Sequence, residues 1–180
     1  MKRMKHLIGT TLAVIVILSS MNIMQVQAAT HLASTVSTAD ATASIQQVNS
    51  ILLDDINALR TQNNLPALTQ DLTLNSYAAI RAQEAATTWS HTRPDGTQGC
   101  NLISADKYRG ENLSYVTYSE FGFTEAEQAE AASIMYDALA ASPGHYANMV
   151  NAAYTQIGIY TYTTQTESGV KLTVAYMFSN

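Results

Sequence analysis

Residues 157–163 read Ile157-Gly158-Ile159-Tyr160-Thr161-Tyr162-Thr163, and residues 170–178 read Val170-Lys171-Leu172-Thr173-Val174-Ala175-Tyr176-Met177-Phe178. In both segments, side chains of one kind recur at every second position, which is the period of a β-strand with two unlike faces. The short connection between them ends in Gly169, a typical turn residue. The pattern predicts a β-hairpin in this part of the chain.

Three segments upstream of the hairpin have the three- and four-residue spacing of amphipathic helices instead. They are predicted to span residues 45–63, 72–89 and 125–141. Ser44 with Gln47, and Thr124 with Glu127, match the capping box that starts many helices. Short strands are expected around residues 101–103 and 112–116. Helices first and strands last predict a single α+β domain.

Residues 1–28 have the pattern of a cleaved signal peptide. Three basic residues precede an almost wholly apolar run over residues 7–24, and Ala28 ends a small-residue cleavage site. A retained membrane anchor is the alternative, because the run approaches the roughly 18 to 20 residues that span a bilayer. Residues 29–44 are mainly Ala, Ser and Thr, which predicts a flexible spacer before a domain over residues 45–180.

Removal of the leader would make an acidic chain more acidic, because all three of its basic residues leave and every acidic residue stays. The net charge falls from −5 to −8 with histidine neutral. Repulsion from phosphate groups argues against nucleic acid or an anionic membrane surface as a general partner. No membrane-spanning segment is expected after cleavage.

Cys100 is the only cysteine, so no disulfide can form within the chain. Small exported domains often rely on disulfides, and here packing alone must hold the fold. Gly99-Cys100-Asn101 matches no recognisable cysteine-hydrolase signature. This favours a buried or incidental thiol over a nucleophile.

Two histidines mark a candidate site. His91 and His145 each follow a predicted helix and lie beside turn-forming Pro and Gly residues, where scaffolds often present functional side chains. With Glu111, which lies between them in the sequence, they offer two imidazoles and a carboxylate, all suitable zinc ligands. The alternative is structural: hydrogen-bonded histidines in a cleft wall, and a carboxylate that accepts backbone amides to fix its loop.

A serine hydrolase is a further interpretation, because Ser90 directly precedes His91 and Ser142 lies three residues before His145. An activated serine needs a base within hydrogen-bond reach. The chain has no Gly-x-Ser-x-Gly elbow, so ordinary loop or cap serines are favoured. Pro143-Gly144 is expected to end the third helix and to place His145 on a tight connection.

Asn57 and Arg60 lie three residues apart and therefore share one face of the first helix. Arg60 flanks the apolar stripe, and a buried arginine in an acidic protein calls for carboxylate partners. We interpret the pair as a structural clamp rather than a ligand site.

The tyrosines fall into two groups. Those of the predicted strands are expected to pack on the sheet: Tyr160, Tyr162 and Tyr176. Those near the motif loops are candidates for lining a cleft: Tyr108, Tyr115, Tyr118, Tyr146 and Tyr154. Aromatic walls suit sugars, peptides and lipids alike, so they do not discriminate among ligands.

Five sequence motifs occur in a characteristic order. They are Asn57-Ala58-Leu59-Arg60, Ser90-His91, Gly110-Glu111-Asn112-Leu113, Ser142-Pro143-Gly144-His145-Tyr146-Ala147-Asn148-Met149 and Ile157-Gly158-Ile159. Through them the chain resembles the CAP superfamily (cysteine-rich secretory, antigen 5 and pathogenesis-related proteins; SCP domain), and it is most similar to the bacterial secreted branch. The resemblance implies a three-layer α-β-α sandwich. It also implies a cleft with two His and two acidic residues, which binds a divalent metal such as zinc in some members.

The resemblance assigns His91, Glu111 and His145 to three of these four positions. Ser142 occupies the fourth, where animal and plant members carry a second Glu and bacterial relatives commonly show Ser. Asn112, with Asn57 and Arg60, belongs to the structural motifs. A metal site implied by the resemblance would therefore rest on His91, His145 and Glu111.

Two functional classes follow from these observations. The first is a secreted or cell-surface binding module whose cleft holds a small ligand, a peptide or a component of the cell envelope. In this class a bound divalent metal could tune the cleft. The alternative is a secreted, metal-dependent hydrolase that acts on peptide or an envelope polymer. The lost fourth acid and the lack of a clear nucleophile favour the binding module.

Overall fold

The computed structural model describes Ile45 and residues 47–180, and the predicted signal peptide and spacer lie outside this part. The helices are α1 (residues 47–62), α2 (Leu72–Thr87), α3 (Glu125–Ala140) and α4 (Pro143–Met149). The strands are β1 (Thr69–Gln70), β2 (Arg109–Tyr118), β3 (Gln156–Thr166) and β4 (Gly169–Ser179). None of the described helices combines the length and the apolar character needed to cross a membrane.

The predicted hairpin is confirmed as β3 and β4, which pair antiparallel from Gln156 opposite Ser179 to Thr166 opposite Gly169. Gly169 has a φ of +121°, a backbone conformation that only glycine adopts without strain. The sheet order is β1-β3-β4-β2, in which β2 is antiparallel to β4 and β1 is parallel to β3. The last strand in sequence therefore lies in the interior of the sheet.

The two faces of the sheet pack against different helices. One face buries alternate residues of β3 and β4 against α1, α3 and α4, in the cluster that contains Leu52, Met135 and Tyr176. The other face packs Leu113 and Met177 against the alanine-rich side of α2. This confirms the three-layer α-β-α sandwich.

Local sequence explains where these helices begin and end. Thr124 and Glu127 form the reciprocal capping box predicted for α3, whereas the predicted cap of the first helix at Ser44 lies outside the described residues. The Asp71 carboxylate accepts a 2.8 Å hydrogen bond from the Leu74 amide at the start of α2. The first helix ends before Asn64, whose φ of +57° is tolerated by asparagine more readily than by most residues.

Three details differ from the sequence prediction. The expected strand at residues 101–103 is wrong, because Gly99–Leu102 forms a 3₁₀ turn in which the Asn101 amide donates locally to the Gln98 carbonyl at 2.9 Å. Strand β1 was not predicted, since two residues carry no readable periodicity. Pro143 starts a helix, as proline does well at a first helical position, so His145 lies in α4 and not on a tight connection.

Candidate functional site

A cavity of about 330 Å³, here called the histidine pocket, brings together all four positions implied by the family resemblance. Its walls come from the loop after α2, the 3₁₀ turn, β2 and α4. The lining residues are His91, Gln98, Gly99, Cys100, Glu111, Ser142, Gly144, His145 and Asn148. Residues that are far apart in sequence therefore share one concave surface, as binding sites commonly do.

Glu111 links His91 to a buried arginine. Its Oε1 lies 2.7 Å from His91 Nδ1, and its Oε2 accepts a 2.6 Å hydrogen bond from Arg81 Nε. Arg81 is fully buried, and its Nη2 also donates to the Ser90 carbonyl at 2.8 Å. Both carboxylate oxygens are engaged, which orients the His91 ring through Nδ1 and leaves Nε2 as the nitrogen free of this contact.

The ion pair continues outward from Arg81. Its Nη1 contacts Glu84, which also accepts a 2.9 Å hydrogen bond from Arg93. Burial disfavours the ionised form of Glu84, but hydrogen bonds from Arg93 and Arg81 outweigh this effect and lower its pKa. Burial likewise disfavours the charged form of Arg81, and the hydrogen bonds to Glu111 and Glu84 overcome it, so that the Arg81 pKa is raised.

Gly99 is required by the close packing of this network. A Cβ at this position would lie 1.8 Å from Glu111 Oε2 and 2.4 Å from Arg81 Nε. Neither side chain can move aside freely, since both are buried. Only glycine lets the 3₁₀ turn lie against the ion pair.

We expect Gly99→Ala to lower the free energy of unfolding by about 1–3 kcal/mol, the usual cost of overpacking, and to disturb the contact between Glu111 and His91. Urea unfolding and the NMR signals of the His91 ring measure the two effects. Gly144→Ala is the matched control from the same pocket, because a Cβ there meets nothing within 4 Å. Equal responses of the two variants would contradict this account of Gly99.

Two asparagines hold His145 against β2. Asn112, fully buried, donates from Nδ2 to the His145 carbonyl at 3.0 Å. Asn148 donates to Asn112 Oδ1 at 2.8 Å and to the Glu111 carbonyl at 3.2 Å. These bonds fix the first turn of α4 relative to the strand that carries Glu111.

The two imidazoles face each other across the histidine pocket. The ring centroids of His91 and His145 are 6.2 Å apart with the planes tilted by 48°. Burial, and second the charge of His91, lower the pKa of His145 below its usual 6.5. His145 is therefore neutral at pH 7, the form in which a ring nitrogen can accept a hydrogen bond or bind a metal.

An NMR titration should place the pKa of His145 below 6.5, with a rise in His91→Ala. Because the folded pKa lies below the unfolded one, the unfolded chain binds more protons in the interval between them. The contribution of His145 to stability is thus complete above a pH of about 6.5 and declines as the pH falls through that value. His145→Gln should lack this component; a measured pKa at or above the ordinary value would contradict the assignment.

The candidate nucleophiles are not paired with a base in the described part of the chain. Ser90 Oγ accepts a 2.9 Å hydrogen bond from the Thr92 amide, and Ser142 is the N-cap residue of α4 without a capping bond from its side chain. Among the described residues, neither hydroxyl is hydrogen-bonded to a histidine. Cys100 is a free, half-buried thiol in the pocket wall.

Arg60 and Asn57 lie away from the histidine pocket and tie α1 to distant loops. Arg60 is fully buried, and its guanidinium donates to backbone carbonyls at 2.8 to 3.1 Å rather than to carboxylates: Pro66, Met149, Asn151 and Tyr154. Asn57 exchanges two hydrogen bonds with the backbone of Leu68. The carboxylate partners expected from charge alone are thus replaced by four carbonyl oxygens.

The histidine pocket has no tyrosine among its lining residues, although Tyr108, Tyr115, Tyr118, Tyr146 and Tyr154 were candidates. Tyr154 is instead buried and stacks on Phe178 with ring centroids 5.5 Å apart. Tyr115 is half-exposed and lies elsewhere on β2, beside Trp89.

Sequence reasoning missed Arg81, Gly99 and Asn148. A signal for Arg81 existed, because it lies at helical spacing among Leu74, Ala78, Ala82 and Ala85, the buried side of α2. A charged residue within an apolar stripe indicates a buried ion pair. No comparable signal marked Gly99, whose role depends on the three-dimensional position of Glu111.

Comparison with known proteins agrees with this geometry. Residues 53–177 match the cysteine-rich secretory protein family, CAP. No curated protein matches the chain. The fold is similar to an outer surface protein from Borrelia burgdorferi, with a TM-score of 0.55, 22% identity and coverage of 74% of this chain and 92% of that one.

A second similar structure is an extracellular protein containing a SCP domain from Bacillus anthracis, with a TM-score of 0.52 and 19% identity. The match covers 76% of this chain and 40% of that longer one. At these identities the two structures establish the shared fold alone. Because the family model matches residues 53–177, more than half of the chain, the protein belongs to the cysteine-rich secretory protein family, CAP.

Proposed function

We propose that this protein is an extracellular binding module that holds a component of the bacterial cell envelope in the histidine pocket. The observation that carries the proposal is the engagement of both Glu111 oxygens, by Arg81 and by His91. Glu111 then serves to orient an imidazole rather than to accept a proton from water or substrate. Apart from Glu111, the polar side chains that line the pocket offer hydrogen-bond donors and acceptors to a ligand, and none of them is a carboxylate: His91, His145, Gln98, Ser142 and Asn148.

Two observations argue against the alternative, a hydrolase. A general base must be within hydrogen-bond reach of the proton that it removes, and Glu111 already binds two partners. A serine nucleophile needs a histidine partner, and Ser90 donates no such bond in the described part of the chain. The pocket has the character of a recognition site whose side chains are held in place before a ligand arrives.

Placement outside the cell is supported by two observations. The first 28 residues have the order of charges, apolar run and small residues that a signal peptidase accepts. The two structures of similar fold are described as an outer surface protein and an extracellular protein. An envelope component is thus a ligand that this protein would meet.

The test is cosedimentation of the protein, expressed from the full sequence, with purified bacterial cell walls. Bound protein in the pellet and soluble fragments in the supernatant are measured in the same sample. We expect saturable binding that falls about tenfold, the effect of a lost charged or strong polar contact, in His91→Ala and His145→Ala. We expect no release of fragments over hours.

Lys107→Gln is the matched control, because its exposed side chain lies outside the lining of the histidine pocket. Release of wall fragments that Glu111→Gln abolishes, with the fold intact, would replace the binding module with a hydrolase. Equal binding by wild type and both histidine variants would refute the role of the pocket.

A zinc ion fits the histidine pocket only in part. His91 Nε2 and the His145 ring offer two metal ligands, but Glu111 cannot join them without giving up its contact with His91 or with Arg81. Within the described residues, no group of three or more His, Cys, Asp or Glu side chains is placed to hold a metal ion. Catalytic zinc sites use three protein ligands and structural sites four.

We therefore expect zinc chloride at 100 µM to stabilise the protein by less than about 1.4 kcal/mol, which corresponds to a Kd above about 10 µM. Thermal unfolding with and without zinc measures this stabilisation. His145→Ala should remove any stabilisation that zinc gives the wild type. A larger gain would mean that Glu111 leaves Arg81 to become a ligand, a rearrangement that Arg81→Lys would favour.

A further inference from the structure

A second surface of the protein has the features of a binding site and lies outside the histidine pocket. It consists of Trp89, Tyr115, Thr117, Tyr162, Thr164 and Lys171, which lie around the buried Thr173, and we call it the aromatic–lysine face. Trp89 and Tyr115 are 48% and 50% exposed, although large aromatic side chains are usually buried. Their ring centroids are 4.7 Å apart with the planes at 76°, so the two rings form an open corner.

The strand register places the other residues beside Trp89 and Tyr115. Thr173 of β4 lies opposite both Tyr115 of β2 and Tyr162 of β3. One step along, Lys171 lies opposite both Thr117 and Thr164. Positions two residues apart on a strand share a face, so these side chains form two adjacent rows across three strands.

Lys171 provides the charge of the aromatic–lysine face. Its Nζ lies 4.6 Å from the Tyr115 ring centroid and 5.9 Å from that of Trp89. The other Arg and Lys residues of the described chain are engaged with carboxylates or backbone carbonyls: Arg60, Arg81, Arg93, Lys107 and Arg109. Lys171 contacts aromatic rings instead, and neither of the two rows contains a carboxylate.

We propose that the aromatic–lysine face binds a saccharide that carries a carboxylate. The exposed surfaces of the Trp89 and Tyr115 rings suit the apolar CH face of a sugar ring, and Thr117 and Thr164, which are not buried, offer hydroxyls to its hydroxyl groups. Lys171 supplies one positive charge for one carboxylate, in a protein whose net charge is −5. A phosphate monoester carries close to two negative charges at pH 7, more than one ammonium balances.

The site is separate from the histidine pocket along the same strand. Glu111 and Tyr115 lie on one face of β2 four residues apart, which is about 13 Å, and Leu113 between them is buried under α2. Binding at the aromatic–lysine face therefore neither requires nor excludes binding by His91 and His145. Failure of one proposal leaves the other standing.

Trp89 makes the test direct, because it is the only tryptophan in the chain. We would titrate the protein with a tetrasaccharide of three neutral sugars and one terminal glucuronic acid and, separately, with the neutral tetrasaccharide maltotetraose, while recording tryptophan emission. The acidic sugar is expected to give a saturable change in emission, and the neutral sugar a binding about tenfold weaker, as expected for loss of a charge-assisted hydrogen bond.

Matched variants separate the contributions of charge and ring. Lys171→Gln should weaken binding of the acidic sugar about tenfold, while Lys107→Gln, which removes the same charge from an exposed lysine outside the aromatic–lysine face, should leave it unchanged. Tyr115→Ala should weaken both sugars by about fivefold, consistent with one lost aromatic contact. Tyr108→Ala, at a tyrosine that is 65% exposed, should have no effect.

Three outcomes would overturn the proposal. They are the absence of a saturable change with the acidic tetrasaccharide, equal weakening by Lys171→Gln and Lys107→Gln, and equal affinity for the acidic and neutral sugars. Phosphatidylglycerol vesicles form a further arm: binding to them that Trp89→Ala abolishes would reassign the aromatic–lysine face to a membrane surface.

Discussion

Arg81→Met is expected to lower the free energy of unfolding by about 3–5 kcal/mol, the cost of removing one partner from a buried ion pair. Methionine has a similar length and fills most of the space, so the loss is mainly electrostatic. The Glu111 side chain is only 4% exposed, and without Arg81 its carboxylate would face a single weakly basic partner, His91. Equilibrium unfolding in urea, read by circular dichroism, measures the change.

Arg93→Met provides the control for this prediction. Arg93 contacts the same Glu84, but its side chain is 19% exposed, so its removal should cost less than about 1 kcal/mol. The double variant Arg81→Met/Glu111→Gln should recover part of the loss, since the unpaired carboxylate is gone. If Arg81→Met and Arg93→Met proved equally stable, the buried ion pair would not support the fold of the site.

Arg60→Met is expected to cost about 3–4 kcal/mol for a different reason, because buried carbonyl oxygens left without donors cost about 1–3 kcal/mol each and such costs do not add fully. Arg60 donates to four of them, one in the loop after α1 and three at the end of α4 and in the loop that follows it. No charge is left behind, so the loss should be nearly independent of pH. Urea unfolding at two pH values measures both properties.

The matched control is Arg109→Met. Arg109 is half-buried and donates to one carbonyl, that of Ile103, at 2.9 Å. Its loss should cost about 1 kcal/mol. Arg60→Lys separates the effect of the number of hydrogen-bond donors from the effect of the charge, because one ammonium cannot reach the four carbonyls that a planar guanidinium spans. An Arg60→Lys variant as stable as the wild type would contradict the role of Arg60 as a structural clamp.

Much of the fold could be predicted because its signals are local. The capping box at Thr124, the alternation of β3 and β4, and the apolar spacing in α1 all depend on neighbours a few residues away. Strand β1 and the sheet order depend on pairing between distant segments, such as Thr69 with Gln156. Periodicity carries no information about such pairing.

The candidate site shows the same limit. His91, Glu111 and His145 could be selected by residue type, by their motifs and by their place beside turns. Their relationship could not, because Arg81 and Glu111 meet across 30 residues of sequence. The structure adds a contact that the sequence did not indicate, because Glu111 connects the buried Arg81 to the imidazole of His91.

The interior position of β4 has a consequence for the order of folding. Both β2 and β3 hydrogen-bond to β4, so until Gly169–Ser179 is available β2 has no partner strand and β3 has only the two residues of β1. The helices can form early from local contacts, whereas the sheet must wait for these last residues and then assemble in one cooperative step. A chain interrupted before residue 169 would expose two unpaired strand edges, which are templates for aggregation.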